Sequence, residues 1–124
     1  MMTRRFILFA AAAALRAEEQ PLRLSSLDRV RILRRVEPDY PELAWKRRIG
    51  GRVRLTVLVG EDGSVEKVQV VSGHPLLAPA AVKALMQWRF EPVALNGRPR
   101  RFSAPVEIRF HWLDESRRSR AGRT

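Results

Sequence analysis

The stretch Trp88-Arg89-Phe90-Glu91-Pro92 constrains this chain more than any other. Before it, Leu77, Ala80, Ala81, Ala84, Leu85 and Trp88 fall at spacings of three and four, which is one apolar stripe of a helix. At Phe90 and Pro92 the spacing becomes two, so the backbone has left the helical period and become extended. The segment predicts a helix from about Leu77 to Trp88 whose exit is anchored by two aromatics. An anchor of this kind is a structural device, and it points to a binding module rather than to a catalytic centre.

The strands read from a period of two. Val53, Leu55, Val57 and Val59 share one face, and Arg52, Arg54 and Thr56 the other. Glu61-Asp62-Gly63-Ser64 supplies a turn with glycine placed for a hairpin. Val65 to Ser72 then returns, with Val68 and Val70 on the face of Val53 and Leu55, and with Lys67, Gln69 and Val71 outward. The last strand is expected over Ser103 to Trp112. Ala104, Val106, Ile108, Phe110 and Trp112 point in; Pro105, Glu107, Arg109 and His111 point out. A proline cannot donate to a ladder, so Pro105 favours an edge or a strand start.

Another helix is expected from about Pro41 to Ile49. Pro41 suits a first helical turn, Asp39 lies near the positive end, and Gly50-Gly51 supplies a left-handed stop. Val30 to Val36 alternates weakly and is expected as a short lead-in strand. Gly73-His74-Pro75 and Leu95-Asn96-Gly97-Arg98-Pro99 are breaks in the pattern. The result is an α+β domain of order α-β-β-α-β. Its small three-stranded antiparallel sheet is apolar on one face, and two helices pack on that face.

A length of 124 residues allows one small domain. Thr3-Arg4-Arg5, the apolar run Phe6 to Leu15 and the small residues after it read as a secretory signal. Cleavage is expected after Ala17, with Ala14 as the alternative. Ten helical residues reach about 15 Å, half of a bilayer core, so a membrane anchor is not expected. The expected divisions are a signal peptide over 1–17, a polar connector over 18–29, a domain over 30–113 and a basic disordered tail over 114–124. The expected location is the periplasm.

The chain has no cysteine, which excludes disulfides and thiolate zinc sites. Losing Arg4, Arg5 and Arg16 with the signal lowers the formal charge from +11 to +8. That charge suits anionic envelope polymers or an acidic partner. Nucleic acid is not expected for an exported chain whose arginines are spread along its whole length.

Catalysis finds no purchase in the pattern. His74 lies in a turn and His111 alternates outward on a strand. Glu61-Asp62 is explained by the hairpin, and no calcium-ligand series follows it. Ser72-Gly73 lacks the spacing of a nucleophile elbow, and no Gly-rich phosphate loop is present. No catalytic residue, cofactor or metal site is expected. Trp45, inside the first helix, reads as a packed or half-exposed aromatic or as a contact residue.

Taken together, these motifs resemble the TonB C-terminal domain family. The residues that carry the resemblance are Pro38, Tyr40-Pro41, Ala44, Ile49, Gly51-Arg52-Val53, Asp62-Gly63 and Ser72-Gly73-His74-Pro75-Leu76-Leu77. Ala80-Ala81, Ala84, Trp88 to Pro92, Asn96-Gly97-Arg98-Pro99 and the final alternating strand complete it, over about residues 30 to 112. The resemblance implies a role in energised transport across the outer membrane. The partner would be the N-terminal peptide of a TonB-dependent transporter, added as a strand to the open edge of the sheet. The last strand is the candidate edge, with Ser103, Pro105, Glu107, Arg109 and His111 flanking the peptide.

The resemblance also implies an inner-membrane proton-driven motor and other envelope proteins as partners. Full transducers, however, carry an uncleaved anchor and a long Pro-rich spacer. The stretch from Ala17 to Val36 reaches only about 60 to 70 Å when fully extended. Energy transduction by this chain alone is therefore not expected. An open edge can also pair with a second copy, so a homodimer is one expectation. The alternative reading is a structural envelope protein that binds anionic wall polymer through its basic surface.

Overall fold

The computed structural model of the chain describes residues 20–112. The expected signal segment 1–17 and basic tail 114–124 lie outside the described residues. The elements, in chain order, are β1 (Leu22–Arg23), β2 (Ile32–Arg34), α1 (Glu42–Lys46), β3 (Gly51–Val59), β4 (Val65–Ser72), α2 (Ala78–Leu85), β5 (Arg89–Phe90), β6 (Val93–Leu95), β7 (Arg98–Arg100) and β8 (Phe102–Phe110).

β3 is the central long strand, antiparallel to β4 on one side and to β8 on the other. The α+β architecture and these three antiparallel strands follow the alternation in the sequence. The sheet is nevertheless larger than expected. β1 lies outside β8 and parallel to it, giving a four-stranded mixed sheet of order β1-β8-β3-β4. Gln20 to Leu27, expected as part of a polar connector, thus supplies a strand, and Leu22, Leu24 and Leu27 pack against the rim of the core.

Val53, Leu55, Val57 and Val59 are buried beside Phe102, Ala104, Val106, Ile108 and Phe110. The pleat puts all of them on one face. α2 covers that face with Ala81, Ala84 and Leu85, and α1 adds Ala44. Val68 and Val70 stand opposite Val57 and Leu55, as the alternation requires. They belong to the outermost strand, however, and Val70 keeps 41% of its surface exposed.

The exit of α2 holds the molecule together. Trp88 lies past the helix end, with its amide bonded to the Leu85 carbonyl. Its indole N–H donates to the Val36 carbonyl at 2.8 Å, which ties the α2 exit to the lead-in segment. Phe90 is fully buried against Phe102, and its amide donates to the Gly63 carbonyl at 2.9 Å. The expected lead-in strand is β2, and it pairs with β5 inside this clamp rather than with the main sheet.

α1 is shorter than the expected Pro41–Ile49, because the left-handed stop is made by Arg48 and not by Gly50. Arg48 has φ 55°; its amide bonds the Trp45 carbonyl, and the Ile49 amide bonds the Ala44 carbonyl. These two bonds are those of a Schellman motif. Gly51 then begins β3 with φ 136°. The Tyr40 hydroxyl donates to the Ile49 carbonyl, while its ring meets Trp45 and Phe110 edge-on. Trp45 is half-buried in this aromatic corner.

Candidate functional site

The site follows from how β8 distributes its backbone groups. In an antiparallel ladder, successive residues turn their N–H and C=O alternately toward one neighbour and the other. The carbonyls of Arg101 and Ser103 accept from Leu22 and Leu24 of the β1 segment, at 2.9 and 2.8 Å. The odd-numbered residues of β8 therefore aim their backbone groups away from β3, toward the outer edge. They are also the residues whose side chains lie on the uncovered face: Ser103, Pro105, Glu107 and Arg109, with His111 just past the strand.

The structure divides these five residues. Ser103 does not lie on an open edge; it is paired with Arg23, and its carbonyl is taken by Leu24. Pro105 has no N–H to offer a further parallel bond, so it is where the β1 ladder ends. A proline is tolerated here because its nitrogen points away from β3. Glu107 and Arg109, beyond it, present both donor and acceptor outward, and His111 is exposed beside them.

The side chains of this half carry a concentrated charge. The register sets Arg52 opposite Arg109 and Arg54 opposite Glu107. Arg52, Arg54 and Arg109 each bring Nε to the Glu107 carboxylate, at 3.5, 3.7 and 3.3 Å. Three guanidiniums share one carboxylate. The pairs are exposed and each contributes at most about 1 kcal/mol to folding. Their main effect is a surplus of positive charge on the open face. Next to it, Arg48, Arg52, Arg109, His111 and Trp112 line a shallow cleft of about 430 Å³. The Arg48 guanidinium stands 5.5 Å from the centre of the Trp112 ring.

A family model described as Gram-negative bacterial TonB protein C-terminal matches residues 36–112, more than half of the chain. The chain belongs to this TonB C-terminal family. It is 36% identical over 77 residues to Protein TonB of Vibrio cholerae, covering 60% of this chain and 32% of that one. Protein TonB of Escherichia coli matches at 38% over 64 residues, covering 50% of this chain and 27% of the other. Among solved structures, the solution NMR structure of the Pseudomonas aeruginosa TonB CTD superposes with a TM-score of 0.59 at 29% identity. That match covers 74% of this chain and 94% of that one. The chain thus spans about a third or less of the length of these curated relatives, and most of that structure.

Membership places this TonB domain in a non-enzymatic family, as the sequence suggested. His74 has a structural duty: its Nδ1 accepts from the Leu76 amide at 3.1 Å, and its carbonyl accepts from Leu77 and Ala78 at the start of α2. Among the described residues no group of His, Asp and Glu is placed to hold a metal ion, and no helix is long and apolar enough to cross a membrane. Two features of the site escaped the sequence reading. β1 has only the triplet Leu22-Arg23-Leu24 as a trace, and the packing of Arg48 on Trp112 joins residues far apart in sequence.

Proposed function

We propose that this domain acts in the periplasm and binds the N-terminal peptide of an outer-membrane TonB-dependent transporter by strand addition along the outer edge of β8. Such binding would couple the transporter to an energised inner-membrane partner. The observation that carries the reading is the outward backbone at Glu107 and Arg109, with which no strand among the described residues pairs, in a chain of the TonB C-terminal family. Backbone bonds supply the affinity in this mode, and alternate side chains supply the selection. Here the selecting side chains are Glu107, Arg109 and His111, with Ser103 and Pro105 at the guarded end.

Titration of the domain with transporter N-terminal peptides, followed by calorimetry, tests the reading. Saturable binding is expected, and Arg109→Pro is expected to abolish it. This replacement removes an outward N–H at the same parity as the native Pro105, so the bonds to β3 survive. Absence of binding at millimolar peptide, or undiminished binding by Arg109→Pro, would sink the proposal.

The arginines around Glu107 support a second reading, in which the open face holds anionic wall polymer. Coulombic attachment collapses as salt rises, whereas strand addition depends on it weakly. Retention on isolated cell wall at low and high salt separates the two.

A further inference from the structure

We propose that the chain's own segment Gln20–Leu24 is a built-in occupant of the partner edge, and that a partner strand takes the Ser103 half of β8 only by displacing it. The proposal rests on the strand-addition reading above.

The location carries the argument. Of the two outer edges of the sheet, that of β4 pairs with no strand among the described residues, yet β1 lies on the edge that the partner strand would use. It is held there by the two bonds from the Leu22 and Leu24 amides. A third tie runs from the Arg100 guanidinium to the Gln20 carbonyl, at 2.8 Å. This is the same chemistry as strand addition, performed within one molecule.

The hold is built to be short. The next bond of this parallel ladder would run from an N–H of residue 105 to the Leu24 carbonyl, and Pro105 has none. Past Leu24 the chain turns away: Ser26 bonds the Asp28 amide and carboxylate, and Val30 bonds back to Leu27. β1 therefore stops at two residues. A partner strand running the length of β8 reaches Arg101 and Ser103 and also Glu107 and Arg109, so it forms more bonds than the occupant it replaces. The occupant is tethered, which keeps its local concentration high. It acts as a competitor that a weak or short strand fails to displace.

The chain contains no cysteine. Arg23→Cys with Ser103→Cys therefore places one unique thiol pair at register partners, within reach of a disulfide. The full chain carrying this pair is titrated, oxidised and then reduced, with a ten-residue peptide from the N-terminus of a transporter. The oxidised chain is expected to bind at least tenfold more weakly than the reduced one. Leu22→Pro, which lacks the N–H that reaches Arg101, is expected to bind roughly tenfold more tightly than the unaltered chain. Equal affinity in all of these forms overturns the proposal. If the transporter peptide binds none of them, the strand-addition reading fails on its own. The occupant is then judged with a synthetic Gln20–Leu27 peptide. Binding to Leu22→Pro but not to the oxidised pair sustains the proposal, and binding to neither or to both alike overturns it.

Discussion

The carbonyl oxygen of Phe90 stands 1.9 Å from where a Cβ on Gly63 would be. The turn of the β3–β4 hairpin and the aromatic exit of α2 are thus in direct backbone contact. The contact is completed by the bond from the Phe90 amide to the Gly63 carbonyl, and Gly63 itself has φ 86°.

Gly63→Ala is accordingly expected to destabilise the fold by well over 1 kcal/mol. The methyl group has no room, and the neighbour in its way is backbone rather than a flexible side chain. Gly97→Ala is the control. Gly97 also has a left-handed φ, 78°, but nothing lies within 4 Å of its would-be Cβ. Its replacement is expected to cost only about 1 kcal/mol, the backbone penalty alone. Chemical denaturation of the two variants checks the order, and equal losses would show that the Phe90 contact does not matter.

Trp88→Ala is expected to cost about 3–5 kcal/mol, since the side chain is only 4% exposed. Trp88→Phe keeps most of the packing but leaves the Val36 carbonyl without its indole donor, for a loss nearer 1–2 kcal/mol. The guanidinium of Arg35, 4.9 Å from the indole centre, loses its best ring in both variants. Thermal unfolding followed by far-ultraviolet circular dichroism would rank them. A Trp88→Ala protein as stable as the original would refute the clamp.

The aromatic exit of α2 was readable from sequence because its signal is local, the spacing changing from three and four to two within five residues, whereas its partners Val36 and Gly63 are distant in sequence and were not. The faces of β3, β4 and β8 were readable for the same reason, since parity survives even where strand ends shift. β1 was not readable. Two residues give no alternation to detect, and their partner lies about 80 positions away in a parallel pairing that no turn signal announces. The early end of α1 was hidden for another reason. Glycine favours the left-handed stop, yet Arg48 occupies it, held by a motif whose bonds reach back to Ala44 and Trp45. For the candidate site, parity identified the outward residues, but their division at Pro105 depended on β1.

Asp62 sets the acid limit of the hairpin turn. Hydrogen bonds from the Ser64 hydroxyl and the Ser64 amide hold its carboxyl below the ordinary value of 3.8. A depressed folded-state pKa stabilises the fold above the unfolded-state pKa and is lost as pH falls through the folded one. The difference in unfolding midpoint between the original chain and Asp62→Asn should therefore be constant above about pH 5 and shrink below about pH 4. Asparagine keeps an acceptor oxygen, so the comparison isolates the charge. A difference that grows on acidification would contradict the assignment.

Glu107 makes opposite demands on stability and on binding. It neutralises one of three guanidiniums, and all four side chains are at least 37% exposed. Exposed pairs of this kind add little to folding, so Glu107→Ala is expected to change stability by less than about 1 kcal/mol. It should nevertheless raise the charge of the open face where Arg52, Arg54 and Arg109 converge. Elution from an anionic resin should then shift to higher salt, as screening of a larger surplus requires. Glu107→Gln should move elution in the same direction while retaining the side-chain length. If elution is unchanged in both, the cluster does not set the surface field; if stability falls by several kcal/mol, the carboxylate is a structural keystone and the face is not free to receive a partner.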